Sequence, residues 1–566
     1  MSKIQLSSDS NPIEVIPLKE YPRPQFKRDS YICLNGKWDI EFSFEDKLPS
    51  SFSKEVIVPY PIESTLAGLN NKYLEKNEII FYRKKFKLEK DFVKDIVELH
   101  FDSVDQITEV YLNNKFVGRN EGGYIPFSFE IQDYLEDENE LIVKVIDNLD
   151  IKYCYGKQTF ESKGMWYTKT SGIWKSVWIE SYSKNNFKGI KINVTLDSIN
   201  LEIDTNIKKK RIIINTPDGI IKKDFQVNNI TIPIPNPVNW TPENPYLYKF
   251  TLESEDDQIS SYFALRTLEI KNYKGISRIL LNKKPYFFHG LLDQGYFSDG
   301  ILTPKTNKKF EEEIIALKEL GFNTLRKHIK IEPLYFYYLC DKLGMIVFQD
   351  FVNNGKYHFF KETVLPTIGL QNNAKYGKHV KKEIKDIFLK QAKDTINLLF
   401  NSPSVCYYTI FNEGWGQFDT DKVFPKIKEL DSSRIYDATS GWFNGKNSDV
   451  VSKHVYFKEI KVQKENKPII ISEFGGYVYK DLEHSFNLEK TYGYKIYKTQ
   501  EEFQEGFNKL YNEQIVPLIP LGVCGCIYTQ VSDVEDETNG LLTYDRKVLK
   551  VNKDDLLEIS KKLKID

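Results

Sequence analysis

Eight short apolar runs recur between Pro285 and Thr529, and the stretches between them carry helical spacing or turn residues. They are Pro285–Phe288, Phe322–Leu325, Met345–Phe348, Val405–Phe411, Arg434–Ala438, Asp449–Val451, Pro468–Ile471 and Val523–Thr529. Strand-length runs alternating with helical patterns read as βα units and a parallel sheet. Phe310, Ile314, Leu317 and Leu320 fall on one helix face before Gly321, Glu332-Pro333 opens a second helix, and His379–Phe400 and Glu501–Val516 are two more. Eight such units over nearly 290 residues fit a (β/α)8 TIM barrel, whose active site lies at the C-terminal ends of its strands. Standing at or near those ends are His289, Arg326, Asp350, Asn412, Glu413, Ser440, His454, Glu473 and Gln530.

Upstream the pattern is β throughout. At 566 residues the chain is too long for one core and is expected to divide into several domains. Residues 1–182 alternate with period two in Val97–Phe101, Glu109–Leu112, Leu141–Ile146 and Ser176–Glu180, with Asn113-Asn114 as a hairpin turn, which predicts a jelly-roll β-sandwich. Residues 183–272 repeat this on a smaller scale, with Ile190, Ile192 and Val194 alternating, then Leu201 and Ile203, then Tyr248, Phe250 and Leu252. That is the size and texture of an immunoglobulin-like β-sandwich. Residues 273–566 make up the barrel domain.

Composition narrows the class of partner. Lys plus Arg total 79 against 80 for Asp plus Glu, so no basic surplus points to nucleic acid or an anionic membrane. The N-terminus lacks the apolar segment of a signal peptide and no run is long enough to span a bilayer, so a cytoplasmic protein is expected. Cys33, Cys154, Cys340 and Cys406 sit singly among apolar neighbours and Cys524-Gly-Cys526 matches neither redox nor zinc spacing, so no disulfide framework is predicted. A homo-oligomer is compatible with the sequence, which leaves both the oligomeric state and any structural ion open.

The chemistry follows from where the carboxylates fall. In Ser404–Gly416 an apolar run stops at Asn412-Glu413 and turns through Gly414-Trp415-Gly416; in Pro468–Gly476 a second run stops at Glu473. Two carboxylates delivered by two strand ends are the minimum equipment for glycoside hydrolysis, one as proton donor and one as anion. Arg326 would hold a nearby carboxylate ionised. Asn412 could donate to a hydroxyl beside the anomeric carbon, and Trp415 and Trp442 offer faces for a sugar ring. A competing reading sets each of these lower: a strand-end Glu as a solvated loop residue, the Trp rings as core, Asp350 as partner of a neighbouring cation. His289, His328 and His454 could form a metal site, although neither HExxH nor an i, i+4 His pair is present. The chemistry itself calls for no cofactor or metal.

At these residues the chain resembles glycoside hydrolase family 2, the family of β-galactosidases, β-glucuronidases and β-mannosidases. The likeness rests on Leu34-Asn35-Gly36-Lys37-Trp38, Glu121-Gly122-Gly123-Tyr124 and Ser171-Gly172-Ile173-Trp174 upstream. In the barrel it rests on Leu291-Leu292-Asp293-Gln294-Gly295-Tyr296, Asn323-Thr324-Leu325-Arg326-Lys327-His328, Phe411-Asn412-Glu413-Gly414-Trp415-Gly416 and Ser472-Glu473-Phe474-Gly475-Gly476. The resemblance implies Glu413 on the fourth strand as acid/base, Glu473 on the seventh as nucleophile, retention of configuration, and Tyr456 as hydrogen-bond partner of the nucleophile. Asp293 and His328 enter the supporting set through these motifs.

The implied substrate is a terminal β-linked sugar, with β-galactosides favoured. Members that cleave glucuronides resemble one another in an Asn-x-Lys motif after the eighth strand; here Glu537-Thr538-Asn539-Gly540-Leu541-Leu542-Thr543 carries neither residue in place. β-Glucuronidase and β-mannosidase remain alternatives, as does a carbohydrate-binding protein without catalysis. Since the chain ends soon after the barrel, the extra C-terminal domains of the largest β-galactosidases are expected to be absent.

Overall fold

The computed structural model describes residues 6–565 apart from 368–369, 371–375 and 378–379. Its N-terminal part is a β-sandwich of two antiparallel sheets. The six-stranded sheet runs in the order Lys54–Val58, Gly36–Ser43, Ile79–Phe86, Asn139–Ile146, Ile107–Leu112 and Lys115–Glu121. The four-stranded sheet runs Tyr31–Cys33, Val177–Tyr182, Ile96–Phe101 and Phe127–Glu130. Alternate residues point inward, so Trp38, Ile40, Leu141 and Val143 of one sheet meet Leu99, Phe101, Val177 and Ile179 of the other. Burying each such side chain contributes about 1.5–3 kcal/mol. The Asn113-Asn114 turn has φ of 52° and 62°, a left-handed pair that asparagine tolerates and that matches the twist of a two-residue hairpin.

The second sandwich packs a three-stranded sheet (Phe187–Val194, Ser198–Thr205, Asn229–Pro233) on a four-stranded one (Gly219–Phe225, Lys210–Thr216, Tyr248–Glu253, Gln258–Phe263). Ile199, Leu201, Ile212, Ile214, Phe250 and Leu252 fill its interior. This is the immunoglobulin-like arrangement that the spacing predicts.

The third part is a parallel barrel of β1 (Phe288–Asp293), β2 (Thr324–Lys327), β3 (Ile346–Asp350), β4 (Val405–Asn412), β5 (Ile435–Ser440), β6 (Val451–Val455), β7 (Ile469–Gly475) and β8 (Val523–Thr529). Backbone pairing joins them in the order β5-β4-β3-β2-β1-β8-β7-β6. Side chains bridge the seam between β5 and β6: Ser440 Oγ lies 2.8 Å from His454 Nε2 and 3.2 Å from Ser452 Oγ. The first strand differs from expectation. Lys284–Pro285 pairs antiparallel with Ile276–Leu281, and the barrel strand begins only at Phe288. His289 and Gly290 interrupt the apolar run at the true strand, which is why the sequence signal sits too early.

Among the described residues six α-helices of at least nine residues lie outside the barrel: α1 (Asn307–Glu319), α2 (Leu334–Leu343), α3 (Lys382–Leu399), α4 (Thr420–Lys428), α5 (Gln500–Lys509) and α6 (Lys553–Lys562). α1 buries Phe310, Ile314 and Leu317 and is followed by Gly321 at φ 87°, a left-handed position that suits glycine. His379, the expected start of α3, lies outside the described residues. The helix predicted over Glu501–Val516 is α5 followed by a wider π-type turn, Leu510–Ile515. Residues 441–450 and 456–468 connect β5 to β6 and β6 to β7 without any helix. The six cysteines are free thiols. Among the described residues no helix is long and apolar enough to cross a membrane.

Candidate active site

Arg326, at the end of β2, is fully buried and organises the barrel mouth. Its Nε donates to both oxygens of Asp350 at 3.0 Å, Nη2 donates to Asn412 Oδ1 at 2.9 Å, and Nη1 donates to Glu473 Oε1 and to the Ser472 carbonyl, each at 2.9 Å. One planar guanidinium thus ties the ends of β3, β4 and β7 together. Lysine could not do this, since it lacks the fixed fork of donors. Burial pushes the Asp350 carboxyl up, but Arg326 and the His328 ring, 2.6 Å away, hold it at about 2. Asp350 therefore positions its neighbours from below.

Glu473 on β7 receives two strong donors, Arg326 on Oε1 and the Tyr456 hydroxyl on Oε2. Burial alone would raise its carboxyl; the neighbouring His454 ring and Arg326 guanidinium, with the Tyr456 hydroxyl, outweigh burial and hold it below the ordinary glutamate range. The Tyr456 ring is itself fixed by stacking on Tyr494, with centroids 3.6 Å apart. The result is a largely buried carboxylate whose neighbours favour the anion.

Glu413 follows β4 at φ 51° with Gly414 at φ 82°, so the chain reverses sharply and the side chain turns back over the barrel. A Cβ on Gly414 would stand 2.5 Å from the Phe443 ring, which keeps that turn for glycine. Glu413 Oε1 lies 2.7 Å from His454 Nδ1, while His454 Nε2 faces Ser440 Oγ and stands 3.6 Å from Glu473 Oε1. Glu413, His454 and Glu473 therefore bring ligand atoms within 4.8 Å of one another. A cation would find this trio close enough, yet the Arg326 guanidinium already stands on Glu473 and its charge opposes a second cation. Glu98, His100 and Glu180 in the first sandwich form a similar trio, there paired with Arg23 and Arg28.

A cleft of about 480 Å³ opens over these groups. Of the residues singled out in the sequence, Asn412, Glu413, Glu473, His328, Trp415 and Tyr456 line it. His454, Arg326 and Asp350 lie directly behind. Trp442 stands at the side, its Nε1 donating to the Glu362 carbonyl at 2.8 Å and its ring 5.8 Å from that of His454. Asp293 lies deeper, in an ion pair with Lys327 at 2.6 Å. Gln530 is fully buried and donates to Asn539 Oδ1 at 2.9 Å. His289 is the second residue of β1, far from that strand's C-terminal end. Its Nδ1 meets the Gly321 carbonyl at 3.1 Å, and burial lowers its ring to about 4. His289, His328 and His454 are thus not brought together.

The cleft also holds residues that sequence reasoning passed over. Lys157, Met165 and Trp166 come from the jelly-roll domain, and Tyr357, Tyr494 and Glu537 from loops above β3, β7 and β8. Trp166 packs edge-on against Trp415 at 5.0 Å. The acidic loop Asp533–Glu537 was a visible signal; nothing in the sequence around Lys157 marks it.

Family models match nearly the whole chain. The model described as glycosyl hydrolases family 2, sugar binding domain, matches residues 29–182; glycosyl hydrolases family 2 matches 173–266; and the family 2 TIM barrel domain matches 269–549. A β-galactosidase of Thermoanaerobacter pseudethanolicus is 25% identical over 436 residues, covering 71% of this chain and 54% of that protein. A putative β-glucuronidase of Formosa agariphila is 24% identical over 393 residues, covering 65% and 35%. The chain spans about half the length of the curated relatives it matches first. The solved β-D-glucuronidase of Dictyoglomus thermophilum superposes with a TM-score of 0.75 at 18% identity, over 96% of this chain and 99% of that one. A β-glucuronidase from an uncultured Clostridium sp. gives 0.73 at 18%, over 97% and 99%. At such identities the likeness is one of fold.

Proposed function

The chain belongs to glycosyl hydrolases family 2, and from that premise we propose that it is a retaining, exo-acting β-glycosidase whose preferred glycone is galactose. The observation that carries the mechanism is the spacing of Glu413 and Glu473, whose carboxylate oxygens approach within 4.8 Å. Retaining glycosidases hold their carboxyls about 5–5.5 Å apart, whereas inverting ones need about 6.5–9.5 Å to admit a water.

Glu473, kept anionic by its surroundings, attacks the anomeric carbon. The bond to the leaving oxygen breaks as Glu413 passes that oxygen a proton, leaving a glycosyl ester on Glu473. Glu413, now a carboxylate, takes a proton from water as the water oxygen attacks the same carbon, and Glu473 departs as carboxylate. Asn412 has its Oδ1 held by Arg326 and, among the described residues, no hydrogen bond engages its amide N–H groups, which donate to the hydroxyl beside the anomeric carbon. The missing Asn-x-Lys pair after β8 and the names of several relatives support galactose over glucuronate.

Hydrolysis of aryl β-galactoside, β-glucuronide, β-mannoside and β-glucoside by wild type, Glu413→Gly and Glu473→Gly tests this reading. Wild type is expected to favour the galactoside, and Glu473→Gly to lose roughly four orders of magnitude or more in kcat. Added azide should restore Glu413→Gly with β-galactosyl azide as product. Turnover that survives Glu473→Gly, or α-galactose as the first-formed sugar, would sink the assignment.

A further inference from the structure

Glu537 and Lys157 face the cleft from two different domains, and the roles of Glu413 and Glu473 use neither. Glu537 stands in the loop after β8, where its N–H donates to the Val534 carbonyl and its carbonyl accepts from Val534 N, both at 2.9 Å. The Tyr167 hydroxyl of the jelly-roll domain donates to its Oε2, and Asn539 Nδ2 donates to its Oε1 at 3.0 Å. Asn539 is in turn fixed by Gln530. A carboxylate that is 3% exposed and anchored at both oxygens loses almost no freedom when a ligand arrives, and each oxygen keeps a lone pair to offer.

Lys157 is its counterpart. Its carbonyl accepts from Tyr167 N at 2.9 Å, so the backbone carrying the amine is tied to the same tyrosine that holds Glu537. Among the described residues no hydrogen bond or ion pair engages the Lys157 amine, although it lines the cleft. The amine and the Glu537 carboxylate feel each other's charge without meeting as an ion pair, which leaves a gap between a donor and an acceptor. A polar group of a ligand completes such a gap.

Charge decides which group. Glu413, Glu473 and Glu537 put three carboxyls around the cleft, and Arg326 is spent on Asp350, Asn412 and Glu473. A uronate would set its own carboxylate against Glu537, whereas a neutral sugar has hydroxyls that accept from an amine and donate to a carboxylate at once. We propose that Lys157 and Glu537 are a specificity-determining pair that reads adjacent hydroxyls of a neutral glycone and rejects uronates. Tyr167, Asn539 and Gln530 are positioning residues for the carboxylate. The proposal rests on the glycosidase reading of the cleft and narrows its substrate to neutral sugars.

The test reads binding rather than turnover, using thioglycosides that resist hydrolysis. Phenyl 1-thio-β-D-galactoside, its gluco epimer, their 2-, 3-, 4- and 6-deoxy analogues and phenyl 1-thio-β-D-glucuronide are titrated into wild type, Glu537→Gln and Lys157→Met by calorimetry. Wild type should bind a neutral glycoside and bind the glucuronide at least about tenfold more weakly. Glu537→Gln should cost the neutral parent roughly tenfold or more, the scale of a hydrogen bond to a charged group. The deoxy analogue lacking the hydroxyl read by Glu537 should bind wild type and Glu537→Gln alike, which a merely structural change would not produce. Lys157→Met, at a half-buried position, should single out a neighbouring hydroxyl in the same way. Equal losses for every analogue, no loss in either variant, no binding of either neutral series, or tighter binding of the glucuronide that Lys157→Met abolishes would each overturn the pair. A protein that hydrolyses through Glu473 yet binds unchanged as Glu537→Gln keeps the glycosidase reading and loses the pair; one that binds through Glu537 and hydrolyses nothing does the reverse.

Discussion

The ends of β4 and β7 carry the same residue type and give it opposite surroundings. The Glu473 side chain is 6% exposed and meets a guanidinium and a phenol; that of Glu413 is 14% exposed, leans over the cleft and, among the described residues, has the His454 imidazole as its one hydrogen-bond partner. Fixed donors on both oxygens favour an anion that attacks, while a single ring partner and an open face suit a carboxyl that exchanges protons with substrate and water. What separates the two proposed roles is therefore the donor set around each strand end, which the glutamates themselves do not specify.

Removing the shared cation breaks the contrast most severely. Arg326→Met leaves Asp350 and Glu473 buried without their partner, and is expected to cost about 3–5 kcal/mol of stability, read by urea unfolding. A loss under about 1 kcal/mol would mean that the network carries little of the fold.

Tyr456→Phe acts on one side only. Losing the hydroxyl donor lets the Glu473 carboxyl rise toward the ordinary glutamate range, so the acid limb of kcat/KM should move to higher pH. The same depressed carboxyl contributes stability that is full above its unfolded value near 4.5 and is lost as pH falls through the folded one; the tyrosine variant should lose part of that contribution. An unmoved acid limb would show that Arg326 and His454 alone hold the charge.

The smallest effect is expected far from either glutamate. His289→Gln should leave kcat/KM within about twofold while lowering the melting temperature by a few degrees, since only the contact to the Gly321 carbonyl and ring packing are disturbed. A collapse of activity would place His289 in the mechanism after all.

Much of this was readable along the chain, and the reasons differ by residue. The β4 and β7 runs are long, apolar and end in Asn412-Glu413 and Ser472-Glu473, so strand end and carboxylate coincide in the sequence. The β1 run misleads, because Pro285–Phe288 is more apolar than Phe288–Asp293, which places His289 at the wrong end of its strand. Arg326 was legible as a strand-end cation; that it reaches Asp350, Asn412 and Glu473 together was not, since those partners lie 24, 86 and 147 residues away.

Local alternation, helical spacing and strand-end residue types are short-range properties, and they suffice to set three domains, eight barrel strands and two candidate carboxylates in order. Closure of the barrel and docking of the jelly roll against it bring distant residues to a few ångströms. Only that closure made His454 the bridge between Glu413 and Glu473, gave Glu473 its donors, and set Lys157 opposite Glu537. Charge interactions and hydrogen bonds act through space over such distances, so a linear pattern can name the chemical groups while the tertiary structure decides which of them meet.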